Sequence, residues 1–141
     1  MYERKTVPYD EIQIGDTAER SFFVSRASIL SFSKVIEDEN SFHVTEEAAK
    51  TVGFNDIIAH GVHLLSFISR TIGEGLPGFG TLYLSQEVRF LKPVPADTKI
   101  LTRVTVIEKK DKRRILLRTE ILDEYGEEHF VDGHGVVKTM K

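Results

Sequence analysis

The spacing of hydrophobic positions changes along the chain and divides it into a helical part and a strand part. A short apolar strand is predicted at 21–24, and apolar residues at helical spacing follow Ser25, which occupies an N-cap position. This pattern predicts a helix over 26–37. Thr45 can cap a second, shorter helix that ends near Gly53.

Residues 60–72 form the most apolar of the helical segments. Their hydrophobic side chains point in almost every direction around a helix, which is typical of a helix buried on all sides. Glycines from Gly73 to Gly80 then predict a loop. The rest of the chain alternates β-branched and polar residues in four predicted strands, at 81–91, 98–108, 114–122 and 128–139. We therefore predict an α+β fold, with an antiparallel sheet of about five strands wrapped around a long central helix.

Length and composition limit the classes of protein that remain. The chain has 141 residues, no cysteine and a formal net charge of −3. This length fits a single domain over residues 1–141, whose core needs no disulfide or structural metal. The charge argues against nucleic acid or anionic lipid as a partner, and no apolar run approaches the roughly 20 residues that cross a bilayer. Residues 1–5 lack the apolar stretch of a secretory signal, so we expect a soluble cytoplasmic protein.

The best candidate for chemistry is the segment 38–43 (DENSFH), directly after the first predicted helix. Asp38 and His43 are five residues apart, so a continuous helix would separate them, whereas a turn can bring both onto one water molecule. A carboxylate and an imidazole that share a water can exchange protons with it. Asn40 could orient either partner or tighten the turn. The alternative is an ordinary polar helix terminus, in which Asp and Asn only form the turn.

A second candidate is Gly61, at the start of the apolar helix. The first N–H groups of a helix lack intrahelical acceptors, so the Gly61 N–H could hold a thioester carbonyl oxygen as it becomes enolate-like. Alternatively, Gly61 only permits close helix–strand packing. His60 and His63 are three residues apart, but no carboxylate stands at a matching position, and we expect no metal. Ser69 either lines a pocket or bonds back to the helix backbone.

A basic run at residues 109–114 (KKDKRR) falls in a predicted hairpin turn between two strands. It is either a solvated turn that discourages aggregation of the sheet or a grip for a nucleotide phosphate. No aromatic residues interleave with these charges, which argues against nucleic acid binding.

Three motifs together resemble the MaoC-like (R)-specific enoyl-CoA hydratases, with similarity from residue 15 to residue 138. They are the D-x-N-x-x-H array, the His-Gly pair before an apolar helix, and Gln86-x-x-x-Phe90-x-x-Pro93-Val94. The resemblance implies the hot-dog fold and a homodimer. The family motif usually reads D-x-N-P-(aliphatic)-H, whereas this chain has Ser41 and Phe42. We expect loss of the proline to loosen the turn and Phe42 to alter the pocket.

The resemblance also implies a reaction, the reversible syn addition of water to a trans-2-enoyl thioester to give the (R)-3-hydroxyacyl product. The thioester would be carried by coenzyme A or acyl carrier protein, and no cofactor is implied. The site residues expected are catalytic Asp38, His43 and Gly61, with Asn40, His60 and Ser69 for substrate binding. A hot-dog thioesterase, which would release a free thiol, and a non-catalytic acyl-thioester-binding domain are the alternatives.

Overall fold

The computed structural model describes residues 5–141 and contains one five-stranded antiparallel sheet. The strands are β1 (Thr17–Val24), β2 (Leu82–Phe90), β3 (Thr98–Lys109), β4 (Arg114–Asp123) and β5 (His129–Lys138). Their order across the sheet is β1-β3-β4-β5-β2, so β1 and β2 are the two edges. The predicted α+β fold with about five strands is confirmed.

In the described residues, three α-helices and one short 3-10 turn lie between β1 and β2, and a second 3-10 turn precedes β1. The helices are α1 (Arg26–Val35), α2 (Glu46–Thr51) and α3 (Gly61–Glu74), and the turns are Tyr9–Glu11 and Ser41–His43. Both predicted N-caps are confirmed, because the hydroxyls of Ser25 and Thr45 accept hydrogen bonds from backbone N–H groups of α1 and α2. Within residues 5–141 no helix is long and apolar enough to cross a membrane.

The hydrophobic core lies between α3 and the sheet. This helix packs against β1, β3 and β4, and its buried apolar side chains are Leu64, Ile68 and Ile72. The opposite side of α3 is open in the single chain, where Val62 is 58% exposed. The prediction of a helix buried on all sides is therefore wrong for one chain alone. Gly73, which was expected to end the helix, lies inside its last turn.

Candidate active site

The end of α1 places Asp38 beside the start of α3. Glu37 adopts a left-handed conformation, with φ of 54°, immediately after the helix. The N–H of Glu37 donates to the carbonyl of Lys34 and the N–H of Asp38 donates to that of Ser33, at 3.3 and 2.9 Å. These two bonds form a Schellman motif, which ends the helix and reverses the chain. The predicted helix over 26–37 therefore ends earlier, at Val35.

The carboxylate of Asp38 is held on both of its oxygens. Oδ1 accepts a hydrogen bond of 2.8 Å from the backbone N–H of Asn40. Oδ2 lies 3.4 Å from Nε2 of His60. Asn40 thus contributes to the site through its backbone, while its side chain is exposed.

His43 is fixed by the segment that leads into α3. Its Nδ1 lies 2.6 Å from the carbonyl oxygen of Ile58, and the N–H of Ile58 donates to the carbonyl of Phe42 at 3.1 Å. Because a carbonyl only accepts hydrogen bonds, Nδ1 carries the proton. Nε2 of His43 is then the basic nitrogen, free to accept a proton from a bound water.

His60 lies behind the two predicted catalytic side chains and is 3% exposed. Its ring stacks on that of His43, with ring centroids 3.9 Å apart, and its Nε2 is 3.0 Å from Oγ of Ser33. Burial lowers the pKa of His60 below its ordinary value, and the neighbouring His43 ring lowers it further. His60 is therefore a neutral imidazole near pH 7.

The backbone before α3 sets the position of Gly61. The N–H of Ala59 donates to the carbonyl of Val94 at 2.8 Å, which ties this segment to the chain after β2. Gly61 is the first residue of α3, and the His60 side chain makes no capping hydrogen bond. A Cβ placed on Gly61 would lie 2.8 Å from ring atoms of Phe90. Only glycine fits here without moving that ring, so Phe90 packs directly against the N-terminus of α3.

These groups share one pocket of about 530 Å³. Its polar lining includes Asp38, His43, His60 and Lys92, and its walls are mainly apolar, formed by Ile58, Val62, Leu64, Phe90, Leu91, Pro93 and Val94. A larger depression of about 620 Å³ lies at the β2–β5 edge. We place the site in the smaller pocket, because only there do an acid–base pair and a helix N-terminus meet apolar walls.

The pocket contains four of the six residues predicted from the sequence: Asp38, His43, His60 and Gly61. Asn40 and Ser69 are exposed and do not line it, nor does Phe42, so their effects on substrate binding stay predictions. Sequence reasoning missed Ser33 and the carbonyl of Ile58. Ser33 could have been found as a polar residue on the buried side of α1, but a backbone carbonyl carries no signal in its residue type.

The three side chains of Asp38, His43 and His60 are also the candidate position for a cation. Asp38, His43 and His60 bring potential ligand atoms within 4.8 Å of one another, the one such group in the described part of the chain. Neighbouring ligands of a tetrahedral zinc lie about 3.4 Å apart. One nitrogen of each ring already faces a protein oxygen. A spacing of up to 4.8 Å leaves room for one small species between these atoms, and a water molecule fits it.

A family model, curated relatives and solved structures all match this chain. The MaoC like domain family model matches residues 10–124. The chain is 30% identical over 139 residues to a 3-hydroxybutyryl-CoA dehydratase of Methylorubrum extorquens, covering 99% of this chain and 88% of the relative. It is 31% identical over 127 residues to an (R)-specific enoyl-CoA hydratase of Aeromonas caviae, covering 90% and 95%. The unliganded R-hydratase of Pseudomonas aeruginosa matches the fold with a TM-score of 0.88 at 32% identity, over 95% of this chain and 86% of that one.

Proposed function

Because the chain belongs to the MaoC-like domain family, we propose that it is an (R)-specific enoyl thioester hydratase. It would add water reversibly across the C2–C3 bond of a trans-2-enoyl thioester. The observation that carries the proposal is the convergence of a carboxylate, an imidazole and a helix N-terminus on one apolar-walled pocket, at Asp38, His43 and Gly61. Relatives named for hydration or dehydration of such thioesters align with most of the chain.

The acid–base step uses one water molecule between Asp38 and His43. The potential ligand atoms of these side chains lie within 4.8 Å of each other, and one water with hydrogen bonds of about 2.8 Å can span that distance. One group removes a proton from the water as its oxygen bonds to C3. That proton is then delivered to C2 from the same face, so the water supplies both the hydroxyl and the hydrogen, and the pair ends in the protonation state in which it began. Syn addition follows from delivery to one face, and the (R)-alcohol is the product that the family resemblance implies.

The thioester carbonyl is assigned to the N-terminus of α3. Addition at C3 builds negative charge on the carbonyl oxygen, and the Gly61 N–H at the positive end of the helix would stabilise that charge. A donor of this kind typically stabilises the transition state by about 3 kcal/mol. In this assignment Asp38 and His43 relay the proton of the water, and the helix N-terminus holds the oxyanion.

A homodimer is the assembly that best covers the open apolar surface. Edge strand β2 pairs only with β5 among the described residues, and it exposes Leu82, Tyr83 and Leu84. The open side of α3 exposes Val62, which also lines the pocket. A second copy pairing along β2 would cover both surfaces. The cytoplasmic location expected from the sequence stays a prediction.

The decisive assay follows the ultraviolet absorbance of conjugated enoyl-CoAs of increasing chain length. We expect loss of absorbance without added cofactor, and partial recovery from the (R)-3-hydroxyacyl-CoA in the reverse direction. In deuterated water the label at C2 should lie on the same face as the new hydroxyl. Release of free coenzyme A would indicate a thioesterase instead, and an (S)-product or anti label would contradict the assignment of the site.

A further inference from the structure

Two buried polar side chains stand behind Asp38 and have no part in the proposed proton transfers. Ser33, on the buried side of α1, is 6% exposed, and His60 is 3% exposed. They meet at 3.0 Å between Oγ and Nε2. The ring of His60 also packs against Phe32, with ring centroids 5.0 Å apart, which limits its rotation. Buried polar groups arranged in this way orient their neighbours strongly.

The surroundings of His60 select one tautomer. Nε2 faces two oxygens, Oγ of Ser33 at 3.0 Å and Oδ2 of Asp38 at 3.4 Å. Nδ1 is buried and has no hydrogen-bond partner within residues 5–141. An orphaned buried N–H is rarer in proteins than an orphaned acceptor, and an ionised carboxylate can only accept. The proton therefore lies on Nε2, directed between Ser33 and Asp38.

We infer that Ser33 and His60 form a positioning pair that holds the Asp38 carboxylate in its reactive orientation. The inference rests on the proposed function. Asp38 follows a left-handed residue at a helix end, and the one hydrogen bond to its side chain within residues 5–141 comes from the N–H of Asn40, at 2.8 Å. The Nε2–H of His60, 3.4 Å from the other carboxylate oxygen, is the second restraint and acts electrostatically. Ser33 keeps the imidazole of His60 at the angle this requires.

The neutral state of His60 is part of this role. Its ring lies 3.9 Å from that of His43, so a charge on His60 would oppose a charge on the ring that exchanges protons during turnover. Burial lowers the pKa of His60 and agrees with a neutral ring. His60 can therefore direct its Nε2–H toward Asp38, at 3.4 Å, without competing for the transferred proton.

Two substitutions of one residue test the pair. In His60→Gln the amide nitrogen replaces Nε2, whereas in His60→Asn it lies nearer to the position of Nδ1. We expect His60→Gln to keep most of kcat and His60→Asn to lose roughly tenfold or more, as for a lost hydrogen bond to a charged group, with KM changed little in both. His60 is also the N-cap of α3, and Asn is a favoured N-cap. A merely structural role would give the opposite order, with His60→Asn the better variant.

Two serine substitutions on α1 give a second test together with its control. Ser33→Ala should lower kcat severalfold, whereas Ser31→Ala, at an exposed position of the same helix, should leave it unchanged. Proton–nitrogen NMR of the histidine rings reads the tautomer of His60 without turnover, and an Nδ1–H form would overturn the inference. Equal activity of His60→Gln and His60→Asn would overturn it as well. Absence of hydration by the unaltered protein would instead overturn the proposed function.

Discussion

Gly61→Ala tests whether the helix N-terminus receives the thioester carbonyl. The added Cβ would lie 2.8 Å from two ring atoms of Phe90, whereas carbon atoms in favourable contact are about 3.5–4.0 Å apart. The ring must therefore retreat by about 0.7 Å or more. Phe90 is 52% exposed, so it can move at small cost, and Ala is a better helix former than Gly by up to about 1 kcal/mol. We expect the free energy of unfolding to change by less than about 1 kcal/mol.

The effect of Gly61→Ala on catalysis should be much larger. An oxyanion donor acts when the oxygen lies about 2.7–3.1 Å from the N–H, and loss of one such donor lowers kcat by roughly 10²–10³. The new methyl group and the displaced ring of Phe90 both occupy the approach to that N–H. We expect a loss in this range in the enoyl-CoA absorbance assay, together with an almost unchanged denaturant midpoint.

The matched control is Gly73→Ala on the same helix, because a Cβ there meets no atom within 4 Å. This control should raise stability by about 0.5–1 kcal/mol and leave turnover unchanged. Adding Phe90→Ala to Gly61→Ala removes the ring but leaves the methyl group, so activity should stay low. Activity of Gly61→Ala near that of the unaltered protein would refute the carbonyl assignment. Recovery in the double variant would instead mean that the ring alone blocks the pocket.

Three further predictions concern the proton-transfer pair, a buried histidine and the sheet edge. Asp38→Asn and His43→Gln should each lower kcat by roughly a hundredfold or more with an unchanged circular dichroism spectrum, since each removes a proton acceptor or donor; near-normal turnover would remove that residue from the mechanism. Burial lowers the pKa of His63, so the unfolded chain binds this proton more readily than the folded one. The contribution of His63 to stability should fall as the pH drops below about 6.5, by at most about 1.4 kcal/mol per pH unit and in addition to that of His60, and His63→Phe should reduce the slope in denaturant titrations between pH 7 and 5. Leu84 is 50% exposed on β2, and Leu84→Lys should convert a dimer to a monomer in sedimentation; a monomeric unaltered protein at micromolar concentration would contradict the proposed assembly.

The strands and capped helices could be predicted because their signals are local. Ser25 and Thr45 act as caps within three residues of their partners, and the alternating strands meet in simple antiparallel pairs. The end of α1 was placed too late because its left-handed residue is Glu37 rather than glycine. The open side of α3 was missed for another reason: periodicity predicts which residues avoid water but not whether the same chain or a second copy covers them.

In the candidate site, too, contacts between residues near each other in the sequence could be predicted, and contacts between distant residues could not. Asp38 and His43 are near each other in the sequence, so their spacing could suggest a shared water. Their supports are distant, since Ser33 meets His60 across 27 residues and His43 meets the carbonyl of Ile58 across 15. Tertiary folding creates such contacts, and a single sequence gives no pattern for them. Residue types therefore predicted the reacting groups, while their orientation required the structure.

The turn between Asp38 and His43 shows why a departure from the family motif need not disturb the chemistry. Without the usual proline, the turn was expected to be loose. Four backbone hydrogen bonds hold it instead. The N–H of His43 donates to Asn40, the N–H groups of Val44 and Thr45 donate to Ser41, and the N–H of Ile58 donates to Phe42, all at 3.0–3.1 Å. Because the hydrogen bond from Ile58 to Phe42 fixes the same segment whose carbonyl orients His43, the position of the imidazole depends on this backbone contact rather than on a proline at residue 41.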